Sequence, residues 1–126
     1  MTGYAALMRT IGEVRSAAAA LPHSRETFPF DETTLVLKVG GKMYALTDIL
    51  ADPPGLSVKV TPERGEELRA EYAAIAPGYH LNKRHWVTVT LDGTVPDALL
   101  RELLADSHAL VVRGMTRAER AELGLG

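Results

Sequence analysis

The clearest pattern of apolar and polar positions lies around a pair of glycines. Residues 35–39 and 42–46 both have strand-forming composition, and Gly40-Gly41 separates them. Two glycines supply the positive φ angles of a tight turn, so the pattern predicts a β-hairpin. A two-residue turn predicts the pairs Val39–Lys42, Leu37–Tyr44 and Leu35–Leu46 on one buried face. The opposite face is expected to carry Thr34, Val36, Lys38, Met43, Ala45 and Thr47.

Three further segments are predicted to be extended. Residues 56–60 alternate, with Leu56, Val58 and Val60 on one side. Residues 86–91 alternate in the same way, with Val87, Val89 and Leu91 on one face and Trp86, Thr88 and Thr90 on the other. Residues 25–30 are also predicted to be extended, with Phe28 pointing into the core.

Four helices are predicted from apolar stripes and end signals. The first runs from an N-cap at Thr2 to a stop at Pro22, with the stripe Tyr4, Leu7, Met8, Ile11, Val14 and Ala18. The second begins at Thr61-Pro62, carries Leu68, Tyr72 and Ile75, and ends at Pro77-Gly78. The third begins at Pro96 and carries Leu99, Leu100, Leu103, Leu104, Ser107, Leu110 and Val111. Thr116 and Glu119 form a capping box for a short fourth helix that Gly124 ends.

The order of these elements predicts one domain over residues 1–126, of the α+β class. Its first strands are close in sequence and joined by short turns, which predicts a mainly antiparallel sheet. The helices are expected to pack on one face of that sheet.

Composition narrows the class of protein. The chain has 126 residues, 46% of them hydrophobic, no cysteine, a net charge of −2 and a pI near 6.1. Absence of cysteine excludes disulfides, thiolate metal sites and cysteine nucleophiles. Arg9, Glu13 and Arg15 interrupt the N-terminal apolar positions, so no signal peptide is expected. No apolar run has the roughly 20 residues of a membrane helix, and we expect a cytoplasmic protein without membrane contact.

The polar face of the predicted sheet is one candidate surface. Lys38, Lys59, Thr88, Thr90 and Trp86 point away from the apolar faces of their own strands. If these strands share a sheet, the five side chains converge on its open face. A tryptophan there could stack on a base or anchor a protein partner. Alternatively, lysine and threonine only hydrate an exposed face, and Trp86 packs under a loop.

A cationic segment before the last strand is a second candidate. His80, Lys83, Arg84 and His85 lie close together, and with Lys42 they could contact phosphates. The alternative is a loop whose charges face water.

Neither a metal site nor a catalytic centre is predicted, and no cofactor is expected. His80 and His85 are five residues apart without an acidic residue at ligand spacing. Ser107 and His108 are adjacent in a helix, about 100° apart, and cannot act as nucleophile and base. We therefore expect no enzymatic activity.

Four segments in order resemble the MmcQ/YjbR family of small bacterial proteins: LVLKVGGKMYAL, LSVKVTPERGEELR, PGYHLNKRHWVTVTLDG and LLRELLADSHALVV. The resemblance covers essentially the whole chain. Two departures are His108 and Met115, where the family usually has tyrosine and leucine. The resemblance implies a frataxin-like (CyaY-like) fold and a "double wing" of two hairpins that is commonly called DNA-binding. It implies no catalytic residues.

Two hypotheses of function follow. The first is weak DNA binding by the hairpins and the basic loop, using Lys38, Lys42, Lys59, His80, Lys83, Arg84, His85 and Trp86. The second is a protein-interaction module whose partner binds the open sheet face around Trp86. The slightly acidic net charge favours the second, but the resemblance favours the first, which is therefore the prediction. The sequence leaves the oligomeric state open.

Overall fold

The computed structural model describes residues 9–125. Its elements, in chain order, are α1 (Ile11–Ala19), β1 (Ser24–Thr27), β2 (Thr34–Val39), β3 (Lys42–Asp48), β4 (Gly55–Lys59), α2 (Pro62–Glu71), β5 (Ile75–Pro77), β6 (Trp86–Thr90), α3 (Asp97–Arg113) and α4 (Arg117–Glu122).

The strands form one open six-stranded sheet in the order β1-β2-β3-β4-β6-β5, and all neighbouring strands are antiparallel. The long helix α3 packs on β2, β3 and β4, while α1 packs on α3 and β1. The predicted α+β fold with an antiparallel sheet is confirmed. Among residues 9–125, no helix has both the length and the apolar character needed to cross a membrane.

The core lies between α3 and one face of the sheet. Alternation in β4 and β6 places Leu56 opposite Val89 and Val58 opposite Val87, and all four are buried. The buried leucines of α3 at positions 100, 103 and 104 belong to the same core cluster. Such burial of leucine and valine contributes roughly 1.5–3 kcal/mol per side chain. The faces predicted for β4 and β6 are therefore correct.

The hairpin departs from its predicted register. Gly40 and Gly41 both have positive φ, and Val39 pairs with Lys42 as expected. Beyond Lys38–Met43, however, a bulge at Tyr44 shifts the register, so that Leu37 lies opposite Ala45. A bulge adds one residue to one strand and reverses the faces beyond it. Ala45 and Thr47 consequently face the helices, whereas Leu46 faces the open side.

The first helix also begins later than predicted. Thr10 is its N-cap, in an extended conformation, and forms a capping box with Glu13. Both hydrogen bonds of the box satisfy backbone donors that the first turn would otherwise leave without a partner. The expected N-cap Thr2 and the apolar residues Tyr4, Leu7 and Met8 lie outside the described residues.

Two apolar side chains have other positions than predicted. Phe28 is 48% exposed, because β1 ends at Thr27 and the chain leaves the sheet there. Ile75 is not part of a helix: α2 ends at Glu71, and Ile75 starts the short strand β5 opposite Val89. A buried strand residue and a buried helix residue are both apolar, so the pattern alone did not separate them.

The other helix signals are confirmed. The Thr61 hydroxyl accepts from the Arg64 amide, with Pro62 in the first turn of α2. α3 begins directly after Pro96. Thr116 and Glu119 form the capping box of α4, and Gly124 has the positive φ of a helix stop.

Candidate binding surface

The predicted polar positions share the open face of the sheet only in part: Thr88 lines it, whereas Lys59 lines a cavity beside α3. Cross-strand pairs place Thr88 beside Ser57, Thr90 beside Gly55, and Trp86 beside Lys59. On the open face, towards the β1 edge of the sheet, Lys38 lies between Arg25 of β1 and Met43 of β3. No described helix packs over this face, because α1, α2 and α3 contact the sheet from the opposite side or at its edge.

Trp86 does not offer an exposed ring on this face. It is only 9% exposed, and Gly78 folds onto it, with the Gly78 amide donating to the Trp86 carbonyl oxygen at 2.9 Å. A Cβ at Gly78 would lie 2.6 Å from the Trp86 Cβ, so only glycine fits so close. Of the two alternatives for Trp86, a ring open on the sheet face and a ring packed under a loop, its burial fits the second.

The basic loop is held by its own polar groups. The Lys83 ammonium donates to the Gly78 carbonyl oxygen at 3.1 Å, which closes the loop. The Asn82 side-chain oxygen accepts from the amides of Arg84 and His85. Lys83 and Arg84 are both exposed, and His85 is half-buried. One donor of the Lys83 ammonium is therefore used within the loop.

The remaining predicted cations are spread over the molecule. Lys42 reaches towards α4, where its ammonium lies 3.7 Å from a Glu119 carboxylate oxygen. Lys59, at the end of β4, lines a cavity of about 290 Å³ beside α3 that also contains Arg64 and Asp106. Since Lys42 faces the helix side and Lys38 the open side, the eight predicted residues do not form one continuous patch.

A groove of about 560 Å³ occupies the middle of the open face. Its floor consists of Met43 and Leu46 of β3, Ser57 of β4 and Thr88 of β6. The hydroxyls of Ser57 and Thr88 lie 2.7 Å apart and bond to each other. The floor is therefore apolar along β3, and two of its hydroxyls are already paired.

Two loops form the walls of this groove. On one side stands Phe30, which is 70% exposed; on the other stands Tyr79, which is 69% exposed. The Tyr79 amide donates to the Thr88 hydroxyl at 3.0 Å, which fixes that wall to the floor. His80 has a φ of 59°, and its ring lies 4.0 Å from the Tyr79 ring, centroid to centroid. The rings of Phe30 and Tyr79 thus lie on the surface, on either side of an apolar floor.

One end of the groove is acidic. Asp31 and Asp48 line it, together with Thr34, Ala51 and Gly55. The Asp31 carboxylate accepts from the amides of Thr33 and Thr34. These hydrogen bonds lower the pKa of Asp31, so it is ionised at neutral pH.

Several of these residues escaped the sequence reasoning. Leu46 was predicted to be buried, and the bulge turned it to the open face. Phe30 and Tyr79 were not among the predicted site residues. For Phe30, which follows Phe28 and Pro29, nothing in the sequence distinguishes an exposed phenylalanine from a buried one.

Ser107 and His108 have structural roles. The Ser107 hydroxyl donates to the Tyr44 carbonyl oxygen and accepts from the Lys59 amide. The Nε2 atom of His108 lies 2.7 Å from the Pro22 carbonyl oxygen, and its ring meets that of Tyr44 edge-on. Within the described part of the chain, no three acidic or histidine side chains are grouped to hold a metal ion.

Comparisons with known proteins give consistent relatives. A model of the YjbR family matches residues 19–110. The uncharacterized protein YbdF of Escherichia coli O157:H7 is 35% identical over 109 residues, covering 86% of this chain and 89% of that protein. The uncharacterized protein YjbR of Escherichia coli K12 is 32% identical over 111 residues, covering 88% and 94%.

Solved structures agree in fold. The crystal structure of Deinococcus radiodurans protein DR2400, of the DUF419 domain family, is similar with a TM-score of 0.89 and 63% identity, over 94% of this chain and 91% of that one. A Pseudomonas syringae protein is similar with a TM-score of 0.70 and 27% identity, over 80% and 97%.

Proposed function

We propose that this chain, which belongs to the YjbR family, is a non-enzymatic module that binds a protein partner in the groove on its open sheet face. The observation that supports this most is the pair of exposed aromatic rings, Phe30 and Tyr79, on either side of an apolar floor. Large aromatic side chains beside an apolar depression are typical anchors of protein interfaces. The partner surface therefore lies around Leu46 rather than around Trp86.

The polar groups of the groove argue for binding rather than catalysis. The Ser57 and Thr88 hydroxyls bond to each other, and Thr88 also accepts from Tyr79. A nucleophile needs a base within hydrogen-bond reach, and neither hydroxyl has a histidine or carboxylate as its partner. The Ser107 hydroxyl is buried and bonded to backbone groups.

DNA binding is a second candidate, supported by the cations at the hairpin end of the open face. Arg25 and Lys38 are direct cross-strand neighbours there. Arg84, two residues before Trp86 in the sequence, is also exposed. Few phosphate contacts predict weak binding, with dissociation constants of about 10⁻⁴ to 10⁻⁶ M. The acidic end of the groove would repel a phosphate backbone, so we place this candidate second.

The two candidates differ in salt dependence and in the residues they need. Immobilised wild-type protein and a Phe30→Ala/Tyr79→Ala variant are compared for capture from a nuclease-treated lysate at low and high salt. Leu50→Ala is the matched control, because Leu50 is 74% exposed and lies outside the groove. Protein binding predicts capture that resists salt, survives Leu50→Ala and disappears in the double variant.

DNA binding is tested in parallel by a gel-shift titration with duplex DNA. It predicts retardation that falls steeply with salt and weakens in Lys83→Ala/Arg84→Ala and in Lys38→Ala. If the wild type captures no more protein than the double variant, and DNA is retarded at low salt, the proposal of a protein partner fails in favour of DNA.

A further inference from the structure

The charges around the groove are distributed unevenly. Residues 27–37 and 43–58, which supply one wall and one end of the groove, contain Asp31, Glu32, Asp48 and Asp52 but no lysine, arginine or histidine. The opposite end of the open face, beside Met43, carries Arg25 and Lys38. A ligand that lies along the groove therefore meets carboxylates at one end only.

The two carboxylates that line the groove remain available to a cation. Asp31 uses its oxygens for the amides and hydroxyls of its own turn, yet it keeps its negative charge. Asp48 accepts from the Leu50 amide through Oδ1, while no described residue bonds to its Oδ2. Both residues are exposed, so a bound charge would reach them without burying an unpaired carboxylate.

The aromatic walls suit the same kind of ligand. Phe30 precedes Asp31 directly, so a ring and a carboxylate stand side by side at the acidic end. An ammonium or guanidinium group is attracted both to the face of an aromatic ring and to a carboxylate. The apolar floor at Met43 and Leu46 suits aliphatic or aromatic side chains.

The groove also has the length of a short extended segment. Its floor follows β3 from Met43 to Asp48, which lie opposite Lys38 and Thr34 of β2; because of the bulge, this is four residue steps of about 3.4 Å, or roughly 14 Å. A peptide of about five residues in extended conformation covers that distance.

Resting on the proposed function, we infer that the groove takes an extended peptide segment of a partner protein, with apolar side chains over Leu46 and a lysine or arginine beside Asp31 and Asp48. The apolar side chains give the affinity, and the basic residue fixes the direction of the segment.

The test uses two fluorescein-labelled peptides with blocked ends, Phe-Leu-Phe-Leu-Lys and Phe-Leu-Phe-Leu-Glu, and measures anisotropy on titration with the full chain. The lysine peptide is expected to bind about tenfold more tightly, because the glutamate peptide brings like charges together. Asp48→Asn keeps the acceptor for the Leu50 amide. It is expected to lower the affinity for the lysine peptide about threefold and not to lower the affinity for the glutamate peptide. Glu66→Gln, on exposed α2, is the charge-matched control and should change neither.

The outcomes separate this inference from the proposed function. Equal affinity for both peptides, with loss of both in Phe30→Ala/Tyr79→Ala, overturns the charge preference and leaves a protein-binding groove. No binding of either peptide, while lysate capture still depends on Phe30 and Tyr79, overturns the peptide ligand alone. Self-association of the chain that the double variant abolishes also overturns it, since a second copy would then occupy the groove.

Discussion

The Ser107 hydroxyl donates a hydrogen bond of 2.5 Å to the carbonyl oxygen of Tyr44, the residue at which β3 bulges. The two residues are 63 positions apart, and the same hydroxyl accepts from the Lys59 amide of the next strand at 2.8 Å. One side chain of α3 thus satisfies two backbone groups at the bulge. Because the bulge turns Leu46 to the open face, this contact also shapes the floor of the groove.

Ser107→Ala is expected to destabilise the fold by about 2–4 kcal/mol, because it leaves a buried carbonyl and a buried amide without their partner. Ser16→Ala, on the exposed side of α1, should change stability by less than about 0.5 kcal/mol. Urea unfolding of both variants measures the difference. A Ser107→Ala effect as small as that of Ser16→Ala would show that the bulge does not depend on this hydroxyl.

Thr88→Val is expected to release the Tyr79 wall without changing the fold. The variant keeps the shape of the side chain but removes the acceptor of the Tyr79 amide. Loss of about 1 kcal/mol of local stability predicts about fivefold faster hydrogen exchange at the Tyr79 amide. Thr90→Val, on the same face, should leave that amide unchanged. Equal exchange in wild type and Thr88→Val would contradict the role given to this hydrogen bond.

Gly40→Ala is expected to cost more stability than Gly41→Ala. Both glycines have positive φ, where alanine is strained by roughly 1–2 kcal/mol. A Cβ at Gly40 would also lie 2.8 Å from the Met115 Cε and 2.9 Å from a Leu123 methyl, whereas a Cβ at Gly41 meets nothing within 4 Å. Thermal unfolding compares the two variants. A larger loss for Gly41→Ala would contradict the packing of the turn against residues 115 and 123.

Asp31 is expected to make stability sensitive to acid. The amide of Thr33, followed by that of Thr34, lowers the pKa of Asp31 below its ordinary value of 3.8. A lowered pKa means that the charged form favours the fold, so the contribution is present above about pH 4 and is lost as the pH falls through the lowered pKa.

Urea midpoints between pH 6 and pH 2.5 test this for wild type and Asp31→Asn, because such a contribution is lost progressively from about pH 5 to about pH 1. The wild type should lose more stability on acidification than the variant, with Glu32→Gln behaving like the wild type. Parallel pH curves for wild type and Asp31→Asn would refute the link.

Local signals sufficed for much of the fold. The alternation of Trp86 to Thr90 set the faces of β6 correctly, and the threonine caps at positions 61 and 116 gave two helix starts. Each of these signals acts within a few residues of chain. The first helix was misplaced because its apolar stripe extends beyond the capping box at Thr10 and Glu13.

The binding surface was predicted less well than the fold, because it depends on contacts between residues that are far apart in the sequence. The bulge at Tyr44 rests on Ser107, and without it Leu46 would be counted as core. Gly78 lies directly against Trp86, and only the pairing of β5 with β6 brings the two together. A hydrophobic residue such as Phe30 is expected inside a fold, so its exposure is visible only in three dimensions.

Photo-crosslinking in living cells tests the proposed protein partner most directly, with the reactive amino acid benzoylphenylalanine in place of Tyr79. The matched control carries it in place of Glu66, which is exposed on α2 and lies outside the groove. A protein partner in the groove predicts a discrete protease-sensitive adduct from position 79 that is absent at position 66. Adducts of equal yield from both positions, or a nuclease-sensitive adduct from position 79, would contradict the proposal.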